Sequence, residues 1–452
     1  MEHDFFMVMS GIALTMVALV AWFICLTRPR AMLLDPISLG WGGFIAFVAL
    51  AILLLGWFEP FRSFADGKEK VVGLVVLGLV GYVAGLLCGG THRKLASLVP
   101  TPRDTLNLPM VWTLTGISIV LYLFGVLATM FYSEEFLRVP LAFATAGLGA
   151  AGVLSVLLMT AFKSDTINKI LGAIIFIAVI LVLSYTQFSR RPVPGLLGAL
   201  VAMVYHLHIR RKAVFARLMF LAGSAGVILL VILFLTATRG SRIKGTDAVG
   251  TFSDKTRQSF IGGITVNVNA FEFCTITYPE YYDYLWGSGM LPVLVWPIPR
   301  AIWEDKPLPT GGVISPQYTG KDSYSVANTF FGEAFVNFGT VGVPICLFVV
   351  GIIVGTMTHK LRSDPDNLTL WVAWFTIAPD YIGEWRGDLT SMTVQAVVRV
   401  SFFLFMTWLL GKFFGRARRT ALPRSAAAAP AGPRRVVQAR AQYAVAPQRG
   451  VR

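Results

Sequence analysis

The amino-acid sequence predicts an all-α polytopic membrane protein with about eleven transmembrane helices and one large loop on the outer side. Three observations carry this. Hydrophobic residues make up 55% of the 452 and charged ones only 14%, where a soluble domain carries roughly 25% charged residues. Mean hydropathy is +0.67. The apolar residues also fall in runs close to the ~20 residues a helix needs to cross a bilayer. A soluble globular chain and a disordered one are both excluded.

The runs lie near 5–26, 37–58, 71–91, 108–131, 139–162, 167–188, 192–209, 214–238, 329–357, 367–385 and 390–414. The first is not read as a signal peptide, because its acidic start, Glu2 and Asp4, precedes the apolar run and Arg28 and Arg30 follow it. The start should therefore lie outside. Alternating from there, the inner loops hold 13 Lys and Arg and the short outer loops hold 7. The positive-inside rule then gives N-terminus out and C-terminus in. The layout is helices one to eight in 1–238, a large outer loop in 239–328, helices nine to eleven in 329–415 and a disordered basic tail in 416–452. The tail is Ala/Pro/Arg-rich and is expected to lie on the anionic inner leaflet. It has no aromatic or folded element beside its charges, so it is not read as a nucleic-acid binder. Four cysteines are too few for a disulfide framework. Cys25, Cys88 and Cys346 sit in apolar runs and Cys274 in the loop, so no disulfide is expected.

Loops as long as the outer one are usually functional. It has eight basic and eight acidic residues, seven prolines and six of the thirteen tyrosines, with Trp286, Trp296 and Trp303. Aromatic faces beside Asp, Glu and Asn suit sugar rings, although Tyr and Trp also mark the membrane interface. Leu291–Trp303 is apolar but too short and proline-rich to span, and reads as an amphipathic or re-entrant segment. Arg300, near its end, and Lys306, just after it, fall at the level expected for lipid headgroups.

Charge inside a membrane is costly and marks function or pairing. Arg399 lies about 15 Å into the last run, on a stripe with Ser391 and Gln395. Glu333 and Asn337 form a second stripe. Asp380, Glu384, Arg386 and Asp388 follow Pro379, and Arg239 and Arg242 end the eighth run. These groups could form a structural Arg–carboxylate network tying helices together. They could equally bind phosphate, which Arg does bidentately, while a carboxylate accepts a hydroxyl proton. No HExxH, CxxC or P-loop is present. Asp364-Pro365-Asp366 has the form of a nucleotide-sugar DxD motif, but sits in a short inner loop without a domain to hold a nucleotide. A lipid-linked donor approached from outside fits better.

Ile298-Pro299-Arg300 with Trp303 and Lys306-Pro307, Phe331-Gly332-Glu333 with Asn337-Phe338-Gly339 and Gly342, and Arg386-Gly387-Asp388 before the last run together resemble motifs of the bacterial oligosaccharide repeat-unit polymerases, the Wzy-type O-antigen and exopolysaccharide enzymes. The likeness covers about 240–390. It implies a GT-C-like helical enzyme of the bacterial inner membrane, N-terminus periplasmic and C-terminus cytoplasmic. The enzyme would transfer a glycan from undecaprenyl diphosphate to a sugar hydroxyl of the next lipid-linked repeat unit at the periplasmic face. On this reading Arg239, Arg242, Arg300, Lys306, Arg386 and Arg399 hold the diphosphate. Glu333, or else Glu384 or Asp380, takes the proton, and Trp286, Trp303, Tyr324 and Asn337 contact sugar. No metal or other cofactor is required, since arginines neutralise the developing charge. The implied partners are undecaprenyl-diphosphate-linked oligosaccharides, the lipid bilayer and a chain-length regulator protein. The alternatives are a lipid-linked oligosaccharide flippase, which should show repeats and broken helices, and an O-antigen ligase, whose relatives are described with a histidine base. Of the five histidines only His3, at the terminus, falls on the predicted outer side, and none lies in the large outer loop.

Overall fold

The structure is a computed structural model. It describes residues 5–27, 35–58, 67–91, 97, 102, 106–128, 131, 134–161, 166–186, 192–209, 212–244, 252–298, 300, 302–320, 326–387 and 389–414. Among them the elements are helices: α1 (Phe5–Thr27), α2 (Pro36–Phe44), α3 (Leu50–Phe58), α4 (Lys68–Thr91), α5 (Leu108–Ala128), α6 (Glu134–Thr160), α7 (Thr166–Thr186), α8 (Pro192–Val204), α9 (Val214–Lys244), α10 (Phe252–Thr277), α11 (Pro292–Val295), α12 (Thr310–Thr319), α13 (Thr329–Ser363), α14 (Leu368–Glu384) and α15 (Leu389–Phe414). A π-helical turn, Ile45–Ala49, joins α2 to α3, and another, Tyr205–Ile209, extends α8.

Among the described residues eight stretches are long and apolar enough to cross a membrane: Phe5–Cys25, Pro36–Trp57, Lys68–Thr91, Leu108–Ala128, Phe143–Thr160, Thr166–Leu183, Thr329–Ser363 and Thr393–Phe414. This is a polytopic membrane protein. The other three apolar runs are also helical: Gly195–Ile209 is a shorter apolar stretch, the run from 214 lies in α9, which has 31 residues, and α14 has 17. The predicted tail, 416–452, lies outside the described residues.

Hydrogen bonds sort the helix ends into two groups. Arg362 pairs with Asp35, Nε to Oδ2 at 2.9 Å. Asn367 Nδ2 donates to the Pro102 carbonyl at 3.0 Å, His206 bonds the Pro365 carbonyl, and His208 the Thr160 carbonyl. These are the loops that charge counting grouped on one side. At the opposite end Lys70 Nζ donates to the Thr275 carbonyl at 2.5 Å. Asp35 does two jobs, since it also caps α2 by accepting from the Ser38 amide at 2.9 Å, just before a proline at the first helical position.

The tightest packing is between α4 and α13, and glycine makes it possible. Gly81, Gly85 and Gly89 stand four residues apart on one face of α4. A methyl group on them would overlap the carbonyl oxygens of Pro344, Phe348 and Ile352. In return, methyls on Gly351 and Gly355 would strike the Tyr82 and Leu86 carbonyls. Lipid tails are as apolar as Leu, so close backbone contact of this kind, rather than hydrophobic burial, holds membrane helices together.

α13 is not one rod. Gly339 has φ 68° and ψ −164° inside it, a conformation open essentially to glycine. Phe331 and Val343, on either side of the break, both stand against Gly78 of α4. A straight helix would hold them about 18 Å apart along its axis. Thr329–Phe338 therefore folds back along the first turns of α4, where Lys70 Nζ lies 5.0 Å from the Phe335 ring centre. The 284–285 stretch fills the break: the Leu285 amide donates to the Val336 carbonyl at 3.0 Å, and the Tyr284 ring packs against Gly339.

The segment 239–328 is not all loop. α10 stands inside the bundle, with Asn267 Nδ2 donating 2.8 Å to the Phe47 carbonyl in the α2–α3 π-helical turn, midway along that span. Cys274, expected in a loop, is buried in this helix. The cue was present, since Gln258 to Pro279 carries a single charge, Glu272. Its asparagines and threonines lower its hydropathy below that of a spanning run.

The glycine seam yields a direct test. Gly85→Ala should destabilise the detergent-solubilised protein by about 1–3 kcal/mol, the usual cost of overpacking. Gly73→Ala, with open space at its Cβ, should stay within about 0.5 kcal/mol. Equal effects in thermal unfolding would show that the seam is not the tight contact.

Candidate functional site

The folded-back part of α13 carries a column of polar side chains. At its foot is the turn between α14 and α15. Trp385 packs edge-on against Tyr82 (5.2 Å) and Phe44 (5.6 Å). Tyr82 is about 21 Å along α4 from Lys68. The Arg386 turn therefore sits deep among the spanning helices, not at the outer surface where the sequence placed it, because α14 stops short. The Arg386 carbonyl accepts the Thr329 amide at 3.0 Å, which anchors the start of α13. Gly387, at φ 106°, makes this approach possible, as a Cβ there would lie 2.7 Å from the Thr329 nitrogen.

One turn up from Thr329 is Glu333, 1% exposed, and one turn further is Asn337, fully buried. Asn337 Nδ2 donates to the Glu333 carbonyl at 2.9 Å and to Thr310 Oγ1 at 3.1 Å. Its Oδ1 is buried without a hydrogen-bond partner and faces Gly289, where a Cβ would lie 3.1 Å away. Thr310 begins α12, so the large loop caps the top of the column. The flank is α10, where Phe271 packs against Gly332 and Asn328 Nδ2 reaches Cys274 Sγ at 3.9 Å. Glu272, also buried, lies against Gly67 on the far side of α10.

The predicted site residues divide accordingly. Glu333 and Asn337 stand one turn apart on α13, and Arg386 meets this helix through its backbone carbonyl at Thr329. Glu384 is half-buried and accepts from Thr393 Oγ1 at 3.4 Å. Arg300 Nη1 bonds the Glu304 carbonyl at 3.3 Å. Lys306 is buried, its Nζ donating to the Trp296 and Ile298 carbonyls at 3.1 and 2.8 Å. Both cations thus bond within their own loop. Trp286 is 73% exposed with φ 47°, edge-on to Tyr284, and Trp303 is half-buried. Arg399 is half-buried on α15, its Nη2 3.5 Å from Oε1 of the exposed Gln395. Their stripe therefore reaches the surface of the bundle instead of facing only its interior. Tyr324 and the side chains of Arg239, Arg242 and Asp380 lie outside the described residues. Among the described residues no group of three or more His, Cys, Asp or Glu is placed to hold a metal ion.

Sequence reasoning missed Thr310, Asn328 and the polar face of α10. For α10 the usable signal was Thr265, Asn269 and Glu272, three to four residues apart in a stretch otherwise free of charge. Thr310 and Asn328 are adjacent to the column only through the loop fold, which leaves no local pattern. No family model, curated protein or solved structure matches the chain, so its own residues carry the functional reading.

Beside the column, Tyr278 donates to Gln317 Oε1 at 2.7 Å, tying the end of α10 to α12. Burial, with a smaller push from Cys274, carries its hydroxyl from the ordinary 10.0 up to about 12, against the pull of the Gln317 bond. Because the folded state favours the protonated form, the stabilisation is complete below pH 10.0 and is lost as pH climbs through about 12. Melting curves across that window should fall more steeply for the wild type than for Tyr278→Phe. Parallel curves would remove this link.

Proposed function

We propose that this protein is a metal-independent glycosyltransferase of the bacterial inner membrane that polymerises undecaprenyl-diphosphate-linked oligosaccharide repeat units at the periplasmic face. The observation that carries the proposal is Glu333: a carboxylate buried at membrane depth, one turn from the buried Asn337 and one turn from Thr329, which is bonded to the Arg386 turn. A buried carboxylate in a spanning protein is retained for pairing or for function. The resemblance of its flanking residues to the polymerase motifs supports the second. A GT-C-like arrangement with about eleven spans, N-terminus periplasmic and C-terminus cytoplasmic, goes with this reading.

In the proposed reaction Glu333 accepts the proton of the acceptor sugar hydroxyl. That oxygen attacks the anomeric carbon of the donor sugar, and the bond from this carbon to the phosphate oxygen breaks. Undecaprenyl diphosphate leaves with the bonding electron pair, its charge met by Arg386 and by the loop arginines. A single in-line displacement inverts the anomeric centre. Asn337 Oδ1, with no partner among the described residues, is suited to accept a sugar hydroxyl.

A flippase reading has one feature in its favour, the break of α13 at Gly339, since transporters build midplane sites from broken helices. The part after Gly339 is itself long enough to span, however, so the break falls toward one end of the span. Surface-glycan gels separate the readings. A deletion strain should show core capped with a single repeat unit, whereas loss of all surface glycan would mean a flippase. Glu333→Gln at normal membrane abundance should reproduce the single-repeat pattern, and Arg386→Lys should reduce polymer by roughly 10²-fold, as for loss of one oxyanion donor. Wild-type ladders from Glu333→Gln would end its role as base.

A further inference from the structure

From Tyr284 to Ile298 the chain carries no charge, and one side of this stretch is buried against spanning helices. Val293 and Trp296 pack on Ala146 of α6 and on Val394 and Val398 of α15. Ala146 falls in the first turn of the candidate span Phe143–Thr160. Val394 and Val398 fall in the first two turns of the candidate span Thr393–Phe414. The segment therefore lies against the first turns of both apolar spans, where the hydrocarbon begins. Its other side is bare: Leu294 is 79% exposed, with Leu291 and Ile298 at 37%, and Ile302, just beyond Arg300, is 78% exposed.

Beyond the four residues of α11 this backbone is irregular. At hydrocarbon depth an irregular backbone is tolerated only where protein satisfies its polar groups. Lys306 does so, its ammonium bonding the Trp296 and Ile298 carbonyls, and is itself buried in doing it. The exposed side is continuous in character with its neighbours on the same two helices, Phe143 of α6 and Val397 of α15, which are also exposed and apolar.

We propose that the segment around α11 is a wedge immersed in the bilayer, with Leu294 and Ile302 among phospholipid acyl chains and Lys306 as the internal staple that lets its backbone stay there. This surface does not depend on the glycosyltransferase reading.

The test uses the full chain, with its four cysteines replaced, carrying Leu294→Cys, Ile302→Cys or Tyr281→Cys. Each is labelled with a small environment-sensitive fluorophore and reconstituted in phosphatidylcholine–phosphatidylglycerol vesicles. Tyr281, 74% exposed beside Glu280, is the aqueous reference. Labels at 294 and 302 should lose most of their emission to acyl-chain doxyl lipid and little to iodide, and the label at 281 the reverse. Lys306→Gln should raise iodide quenching at 294. Iodide quenching at 294 and 302 in the unaltered loop would place them in a water-filled vestibule. Quenching by neither agent would mean that protein covers them. Either result overturns the proposal. Should the cysteine variants fail to fold, a diazirine-tagged phospholipid on the wild type reads the same surface: adducts on the 291–302 peptide are expected, and their absence contradicts the wedge.

Discussion

The close approach of α4 and α13 is the constraint from which the rest of the molecule follows. Two backbones meet where Gly81, Gly85 and Gly89 face Gly351 and Gly355, and that contact fixes the register of the two helices. Once register is fixed, the part of α13 before Gly339 has one place to go, back along the first turns of α4. The fold-back then presents Glu333 and Asn337 below the capping loop. A side chain at any of the seam glycines would push α13 outward and move the column with it.

Burying polar groups at this depth is costly, and the structure shows how much of the cost is offset locally. The Val336 carbonyl near the break accepts the Leu285 amide, the first amide of α13 donates to the Arg386 carbonyl, and the Asn337 side-chain amide donates to the Glu333 carbonyl and Thr310 Oγ1. Apart from Glu333, each partner comes from a different part of the chain. The column is therefore only as well made as the loop that caps it, and the loop is held by side-chain bonds such as Tyr278 to Gln317. Asn337 Oδ1 is left over.

Hydropathy made the class legible, because spanning helices must be apolar along most of their length. Charge alternation also grouped Asp35, Pro102, Thr160, His206 and Pro365 at one end, as their hydrogen bonds do. α10 escaped because burial against other helices permits asparagine, threonine and a glutamate that lipid contact would not, so its composition resembles a loop. Gly339 was visible as a residue but not as a break, since the run through it stays apolar. Within the site, Glu333 and Asn337 were found from their helical spacing. The depth of Arg386 was not, because it depends on α14 ending early against Phe44 and Tyr82. Lys306 looked like a phosphate ligand by position, but its bonds to the Trp296 and Ile298 carbonyls are long-range facts of the loop.

The most direct measurement is catalysis by the purified protein alone. Proteoliposomes holding the wild type and a lipid-linked oligosaccharide of one repeat unit would be incubated with a metal chelator. Products would be separated by length, and polyprenyl diphosphate release measured. A ladder of longer glycans, with one diphosphate carrier released per added unit, is the predicted result. Substrate that crosses the bilayer unchanged, with no ladder and no carrier released, would contradict it.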